Sequence, residues 1–450
     1  MSYASAWISR RFEPIDNACL VVFRALFGAL LVAECAGALA TGWVSRAFVE
    51  PTVRFPMIGF EWLRPLPGRG MYAYYALMAA LGVLIGAGLA FRAALGAFLV
   101  LWWSAYVMQT AHYNNHYYLI VLLCLLLWTT PADADFSLRA RRAPGARTTT
   151  CPRWCHEIFV WQTAILYGFA AYAKLQPDWL SARPLAVWLG HMASTRVLGH
   201  LYSSPWLPPA LAWGGLVFDA LVVPALLWSR TRRFAFVAAC GFHLFNSLVF
   251  RVGVFPYLGI ALCIFFFPPE AVRARLMDGG APKERLPAAV TTSSRGRRFG
   301  IAFFALYFAL QLLLPLRYHL YPGAVDWHEE GYRMSWRMML RAKVGQAEFR
   351  VHDPNSGETW RIDPKASLTA HQALRLAGRP DMIWLFAQQL RKEFADRGHF
   401  DVQVFVDSAV SLNGRRRAPL IDPRVDLAAT SWSFLGYNRF ITPSPAENGG

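Results

Sequence analysis

The sequence predicts an all-α polytopic membrane domain of about nine transmembrane helices, residues 1–316, followed by a small extracytoplasmic α+β domain, residues 317–450. Three observations predict it. Apolar residues make up 55% of the 450 residues and charged residues only 16%, against roughly 25% charged in soluble domains. The apolar residues gather in runs comparable to the thickness of a bilayer core. From residue 317 onward polar residues return and the hydrophobic pattern alternates. An apolar content this high, without a collagen or heptad period, excludes disorder, collagen and coiled coil. Seven cysteines are too few for a disulfide scaffold.

The apolar runs fall at 18–40, 71–90, 93–108, 117–130, 157–173, 209–228, 233–250, 253–267 and 299–316. Those at 117–130 and 253–267 are short and need flanking residues or burial among the other helices. Arg10, Arg11 and Glu13 precede the first run and no small-residue cleavage site follows it, so no cleavable leader is expected. Orientation follows from Lys and Arg in the connecting segments. With the N-terminus cytoplasmic, the inner segments carry 18 of them, including Arg139, Arg141, Arg142, Arg273, Lys283, Arg285 and Arg295; the short outer loops carry 8, including Arg46, Arg54, Arg196 and Arg251. Residues 131–156 and 268–298 are then cytoplasmic, and 109–116, 174–208 and 317–450 are outside. The net charge of +17 thus records topology, and no nucleic-acid partner is expected; the partner is the lipid bilayer.

Beyond residue 316, Glu348–Val351, Glu358–Ile362 and Asp401–Val406 alternate like strands around Asn-Ser-Gly and Asn-Gly turns. Residues 381–396 read as an amphipathic helix with Ile383, Trp384, Phe386, Leu390 and Phe394 on its apolar face. The tail from Pro443 is expected to fray.

Ionisable groups within membrane spans either pair between helices or mark function. Arg24 and Glu34 share the first span ten residues apart and are each expected to meet another helix. Asp219 lies in the sixth span, and His243 and Asn246 share a face of the seventh. Cys151, Cys155 and His156 form half of a zinc-site pattern and read as free thiols, so no metal is expected. Three places are richer in polar chemistry. His112-Tyr113-Asn114-Asn115-His116-Tyr117-Tyr118 enters the fourth span; the tyrosines suit an aromatic belt, which leaves Asn-Asn-His unexplained. Lys174, two turns past Tyr167 at the end of span five, is either a snorkelling anchor or an ammonium in an apolar pocket that acts as a base. Trp327, Tyr332 and Trp336 follow span nine. They are either an interfacial collar or a greasy mouth for a flat ring arriving from lipid.

At these residues the chain resembles the vitamin K-dependent γ-glutamyl carboxylases, whose membrane part is shared with bacterial proteins grouped as the horizontally transferred transmembrane domain. The matching strings run in order: Val22-Phe23-Arg24, Arg54-Phe55-Pro56, Leu63-Arg64-Pro65-Leu66-Pro67, Asn114-Asn115-His116, Lys174-Leu175 with Asp178-Trp179, Phe242-His243 with Asn246-Ser247, Ser335-Trp336 with Met338-Met339, and Asp422-Pro423-Arg424-Val425-Asp426. The resemblance implies that Lys174 deprotonates vitamin K hydroquinone, or a related menaquinol, and that His116 assists. O2 and CO2 are then co-substrates. Oxidation of the quinol to its epoxide generates the base that removes a γ-proton from a glutamate of a peptide or protein, and CO2 is captured. Asn114, Asn115, His243, Asn246, Trp327, Tyr332 and Trp336 are the candidates for binding quinol or substrate. Arg341 departs from the histidine of animal members, and animal members continue well past residue 450. The absence of an Asn-x-Ser/Thr sequon and the Ala- and Arg-rich composition point to a bacterial inner membrane. Two other readings compete: a scaffold of the same family with altered chemistry, such as an immunity or sensor protein, and a transporter. Retention of Lys174 and Asn-Asn-His favours the enzyme over the scaffold, and the lack of an inverted repeat disfavours the transporter.

Overall fold

The structure, a computed structural model, describes residues 3–193, 199–250, 252–277, 294–434 and 436–445. Arg196, Arg251, Lys283, Arg285, the end of the tail from residue 446, and the side chain of Arg295 lie outside the described residues.

The helices that frame the membrane part are α1 (Ala18–Ala40), α2 (Gly70–Ala87), α3 (Phe91–Met108), α4 (Asn115–Trp128) and α5 (Trp154–Lys174). After these come α6 (Arg183–Ala193), α7 (Leu207–Leu227), α8 (Arg232–Phe250), α9 (Phe255–Leu262), α10 (Pro269–Leu276) and α11 (Ser294–Leu313). Six segments are long and apolar enough to cross a bilayer: α1, α2, α3, α7, α8 and Arg297–Leu320. A seventh is the pair formed by Phe255–Phe266 and α10 if it is one broken span, bent by 115° at Pro268-Pro269. Length and composition alone thus single out six or seven spans, and the two remaining runs are α4 and α5. The run at 117–130 is the 14-residue α4, whose residues from Tyr118 to Leu127 are almost all buried. It is enclosed by the bundle and runs from Asn115, which touches the C-terminal part, toward Asp135, which meets Arg273 at the opposite face. The run at 157–173 is the 21-residue α5, long enough at about 1.5 Å per residue to cross a bilayer, but Glu157, Gln162 and Lys174 dilute its apolar character.

Close approach of α1 and α2 rests on glycine. A side chain at Gly28 would begin 2.4 Å from the backbone of Gly86 and 2.8 Å from the Gly82 carbonyl, so the two helices meet backbone to backbone, as small residues allow in membranes. Arg24 is fully buried there and its guanidinium donates to the carbonyls of Gly86 (2.6 Å) and Phe136 (2.5 Å), satisfying chain ends that lack helical partners.

Contacts sort the connecting segments onto two faces. On one, strand β1 (Pro14–Asp16) pairs antiparallel with β2 (Thr150–Pro152). There the buried Arg273 donates to Asp16 (2.7 Å), Asp135 (2.9 Å) and Asn17 (2.8 Å). Cys151 and Cys155 are buried free thiols on this face. On the other face, the segments before α2 and α4 and those after α5 touch the C-terminal part. Thr52 donates to Ser367 (3.0 Å), Asn115 to Arg337 (3.3 Å), and Arg415 to Asp178 (2.5 Å). This grouping is the one the arginine distribution predicts.

The C-terminal part is a three-stranded antiparallel sheet in the order β4–β3–β5, from β3 (Lys343–His352), β4 (Thr359–Ile362) and β5 (Gln403–Leu412). The short helix α12 (Ala370–Leu376) opens on a capping box made by Thr369 and Gln372. Helix α13 (Pro380–Asp396) buries Ile383, Phe386, Leu390 and Phe394 against the sheet, while Trp384 is half-buried. Phe55 and Ala111, from loops of the membrane part, belong to this same core. Residue 316 therefore marks the end of the apolar spans and not an edge of packing.

Candidate active site at the outer end of α5

The last turn of α5 delivers Lys174 into the bundle. Its Nζ donates to Asp219 of α7, and both residues are buried, at 7% and 5% exposure. The receiving face of α7 is built at helical spacing: Ala212, Gly215 and Asp219. The Ala212 carbonyl accepts from the Trp179 indole (2.8 Å), and the Lys174 ammonium lies 5.2 Å from the Trp179 ring centre. Gly215 adjoins the pair: a side chain there would start 3.9 Å from the lysine Cε and 3.6 Å from Trp179, in ordinary van der Waals contact. The expected lone ammonium in an apolar pocket is thus an ammonium paired with a carboxylate. A charge removed from water requires such a partner.

Two turns toward the bilayer centre on α5, Tyr167 and His243 of α8 share a hydrogen bond (2.7 Å from Oη to Nε2). His243 is fully buried, and its Nδ1 has no hydrogen-bond partner among the described residues. Around it stand Phe218, edge-on at 6.0 Å, and Phe255 at 5.9 Å. His116 lies 6.4 Å from Phe255, so His116 and His243 neighbour the same phenyl ring. Both imidazoles crowd glycines. A side chain at Gly259 would meet His243 Nε2 at 2.5 Å, and one at Gly253, which has a left-handed φ of +65°, would meet His116 Nε2 at 3.1 Å. Asn246 sits one turn beyond His243 and is half-buried.

The other candidates take up structural positions. Asn114 caps α4 by accepting from the Tyr117 amide (2.9 Å). Asn115 donates to the Arg337 carbonyl and accepts from the Tyr113 hydroxyl (3.0 Å). Of the Asn-Asn-His string, only the histidine is turned to the aromatic tier. Trp327 (1% exposed) lies in the core of the C-terminal domain and donates to the Thr442 carbonyl (2.8 Å). Tyr332 is buried under the Arg341 guanidinium, 3.7 Å above its ring. Trp336 (0% exposed) packs into the membrane core beside Tyr118. These rings line no open mouth, because the segment that carries them folds inward and covers them.

That folding is unusual. Glu329, Met334, Trp336 and Met339 all have positive φ, from 57° to 63°, a costly state for residues with side chains. Buried ion pairs pin it. Arg337 meets Asp326 (2.8 Å) and Gln176 (2.8 Å), while Glu329 meets both Arg341 (2.5 Å) and Lys343 (2.9 Å). Burial alone pushes the Glu329 carboxyl up, but Arg341 and Lys343 hold it well below the usual range. Burial pulls Lys343 down to about 8 against the opposing effect of Glu329.

Taken together these features define a polytopic membrane protein with a buried lysine–carboxylate pair above an aromatic, two-histidine tier, roofed by an α+β domain. Residues 12–270 match the family model described as the HTTM domain, and residues 296–447 that of the vitamin K-dependent gamma-carboxylase, lumenal domain. The chain belongs to the vitamin K-dependent gamma-carboxylase family. No solved structure matches it.

Asp219, which the sequence offers only as a charge that either pairs between helices or marks function, is the partner Lys174 takes. The available signal was a charge balance: a lysine and a single aspartate, each isolated in an apolar run on the same side of the bundle.

Proposed function

We propose that this chain couples oxidation of a quinol, vitamin K hydroquinone or a related menaquinol, to carboxylation of glutamate side chains in a peptide or protein, with O2 and CO2 as co-substrates. The observation that carries it is the isolated Lys174–Asp219 pair two turns above the His243–Tyr167 tier, in a chain whose outer domain matches the carboxylase family over residues 296–447. The residues suit a quinol. Phe218 and Phe255 supply apolar walls, His116 and the unpartnered His243 Nδ1 supply polar contacts, and the ammonium–carboxylate pair stands above. When bound, the quinol supplies the chemistry that no side chain can, since its oxidation to the epoxide provides a base strong enough for a C–H proton.

The chain's own part is proton handling and exclusion of water. As an ion pair, Lys174 has no free electron pair to take up a proton. Moving the ammonium proton onto Asp219 gives an amine and an acid, both uncharged, a state that apolar surroundings tolerate. The amine then takes a proton from a hydroxyl placed against it, and Trp179 and the roofing segment 325–341 keep water out. His116, beside Phe255, orients the hydroxyl-bearing ring. On this reading residues 1–316 form the catalytic membrane domain and 317–450 the extracytoplasmic one, with the N-terminus in the cytoplasm of a bacterial inner membrane.

The test is quinol-dependent incorporation of labelled CO2 into a glutamate-containing peptide by the reconstituted protein. Lys174→Arg retains the ion pair but cannot deprotonate, because a guanidinium pKa exceeds about 12. It is expected to fold and to lose both quinol oxidation and carboxylation. Full activity in that variant returns Lys174 to the role of an anchor.

A further inference from the structure

The membrane part also carries a cleft of about 1170 Å³ that Lys174 and His116 do not line. It lies between α5 and α11. These helices touch through Tyr307 donating to Gln162 (2.6 Å) and through Trp154 against Phe304 (5.0 Å), and the walls between are aromatic and aliphatic. Gly168 on one wall and Gly300 on the other have no atom within 4 Å of where a side chain would begin. The volume exceeds the roughly 300–1,000 Å³ of ordinary small-molecule sites, and the opening faces the hydrocarbon region. Any such face is wetted by lipid, and the distinguishing feature is its end.

At the end on the β1–β2 face the apolar walls give way to Trp7, Arg11 and Arg297. Arg11 is neutralised by Glu157, held at 3.0 Å through two guanidinium nitrogens. Arg297 is stacked on Phe12 at 4.5 Å and has no carboxylate partner among the described residues. Trp7 lies over Arg11 at 4.2 Å, an aromatic placed where headgroups meet acyl chains. One uncompensated cation thus stands at the mouth of an acyl-sized groove, on the face richest in arginine.

We infer that this groove is a binding site for one anionic phospholipid, its chains between α5 and α11 and its phosphate on Arg297 with Arg11 beside it. The site is separate from the Lys174–Asp219 pair, so the inference stands or falls without the carboxylase reading. The test is native mass spectrometry of protein extracted from membranes that contain both phosphatidylglycerol and phosphatidylethanolamine. Wild type is expected to retain one phosphatidylglycerol per chain, enriched over its share of the membrane. Arg297→Glu should lower that occupancy roughly tenfold or more, as reversal of a charge at an anionic headgroup requires. Arg298→Glu makes the same charge change one residue away on an exposed side chain and should keep the lipid. Gly168→Leu fills the groove without touching the charge and should expel it, which decides the matter if Arg297→Glu does not fold. Retention of lipid in bulk proportions, equal loss in Arg298→Glu, or a prenylquinone in the groove would each overturn the inference.

Discussion

Two of the places where this molecule buries charge do so in opposite ways. At the end of α5 one ammonium meets one carboxylate, and the neighbours are Trp179, Gly215 and Ala212. In the segment 326–343, by contrast, Asp326, Glu329, Arg337, Arg341 and Lys343 share partners, and Glu329 alone serves two cations. The network keeps its shape when one contact weakens, which is what four left-handed residues need to stay in place. The isolated pair has no such redundancy. Each partner depends on the other. On the proposed reading, structure and chemistry are divided between these two sets of buried charges.

The sharpest way to break this comparison is to remove one half of the pair. Asp219→Asn leaves an ammonium buried without a counter-charge and is expected to cost about 3–5 kcal/mol, measured by thermal unfolding in detergent. The double variant Lys174→Met/Asp219→Leu should recover most of that loss and remain inactive. An Asp219→Asn protein as stable as wild type would show that other groups share the charge.

Next in size, Trp336→Ala opens a void where the roofing segment enters the membrane core, at about 3 kcal/mol or more for a buried tryptophan. Limited proteolysis should then release the outer domain sooner, with the quinol Michaelis constant of the surviving protein unchanged. A raised Michaelis constant at unchanged stability would instead place Trp336 in the ring site. Gly253→Ala is a smaller change: a left-handed backbone and a crowded His116 make it cost about 1–2 kcal/mol. It should also reduce carboxylation more than the control Gly145→Ala, at an exposed position with open space.

The smallest expected effect is on pH. His112 and His371 stack at 4.4 Å across the seam between the membrane part and the outer domain. Burial, and then each other and nearby arginines, lower His112 from 6.5 to about 3, and burial lowers His371 as well. The unfolded chain then binds protons that the folded chain refuses. Stability is complete above about 6.5 and is lost progressively as pH falls toward 3. His112→Phe keeps the stacking and should flatten the slope over that window in a melting-temperature series. An unchanged slope would mean that other groups set the acid sensitivity.

Much of the fold was legible because its elements are local. The strands around residues 348–362 and 401–406 and the helix over 381–396 appear close to where alternation and helical spacing put them. The sorting of loops onto two faces follows from arginine counts alone. Span number is less legible from length and composition alone, because a helix enclosed by other helices, such as the 14-residue α4, joins the two faces with fewer apolar residues than a lipid-facing span.

At the site, sequence by itself determined which residues carry unusual chemistry: a lysine ending an apolar helix, an Asn-Asn-His string, and a histidine at the middle of a span. Only the tertiary structure decided what each does with it. The pairing of Lys174 with Asp219 spans 45 residues and depends on the packing of α5 against α7. The two asparagines are consumed by a helix cap and a brace to Arg337. The aromatic collar turned inward because left-handed backbone at Met334, Trp336 and Met339 reverses the chain there, and no spacing rule reports a reversal that distant ion pairs hold in place. Residue type fixes the chemistry available to a side chain, whereas the neighbour that uses it comes from another helix, and that choice is made by packing.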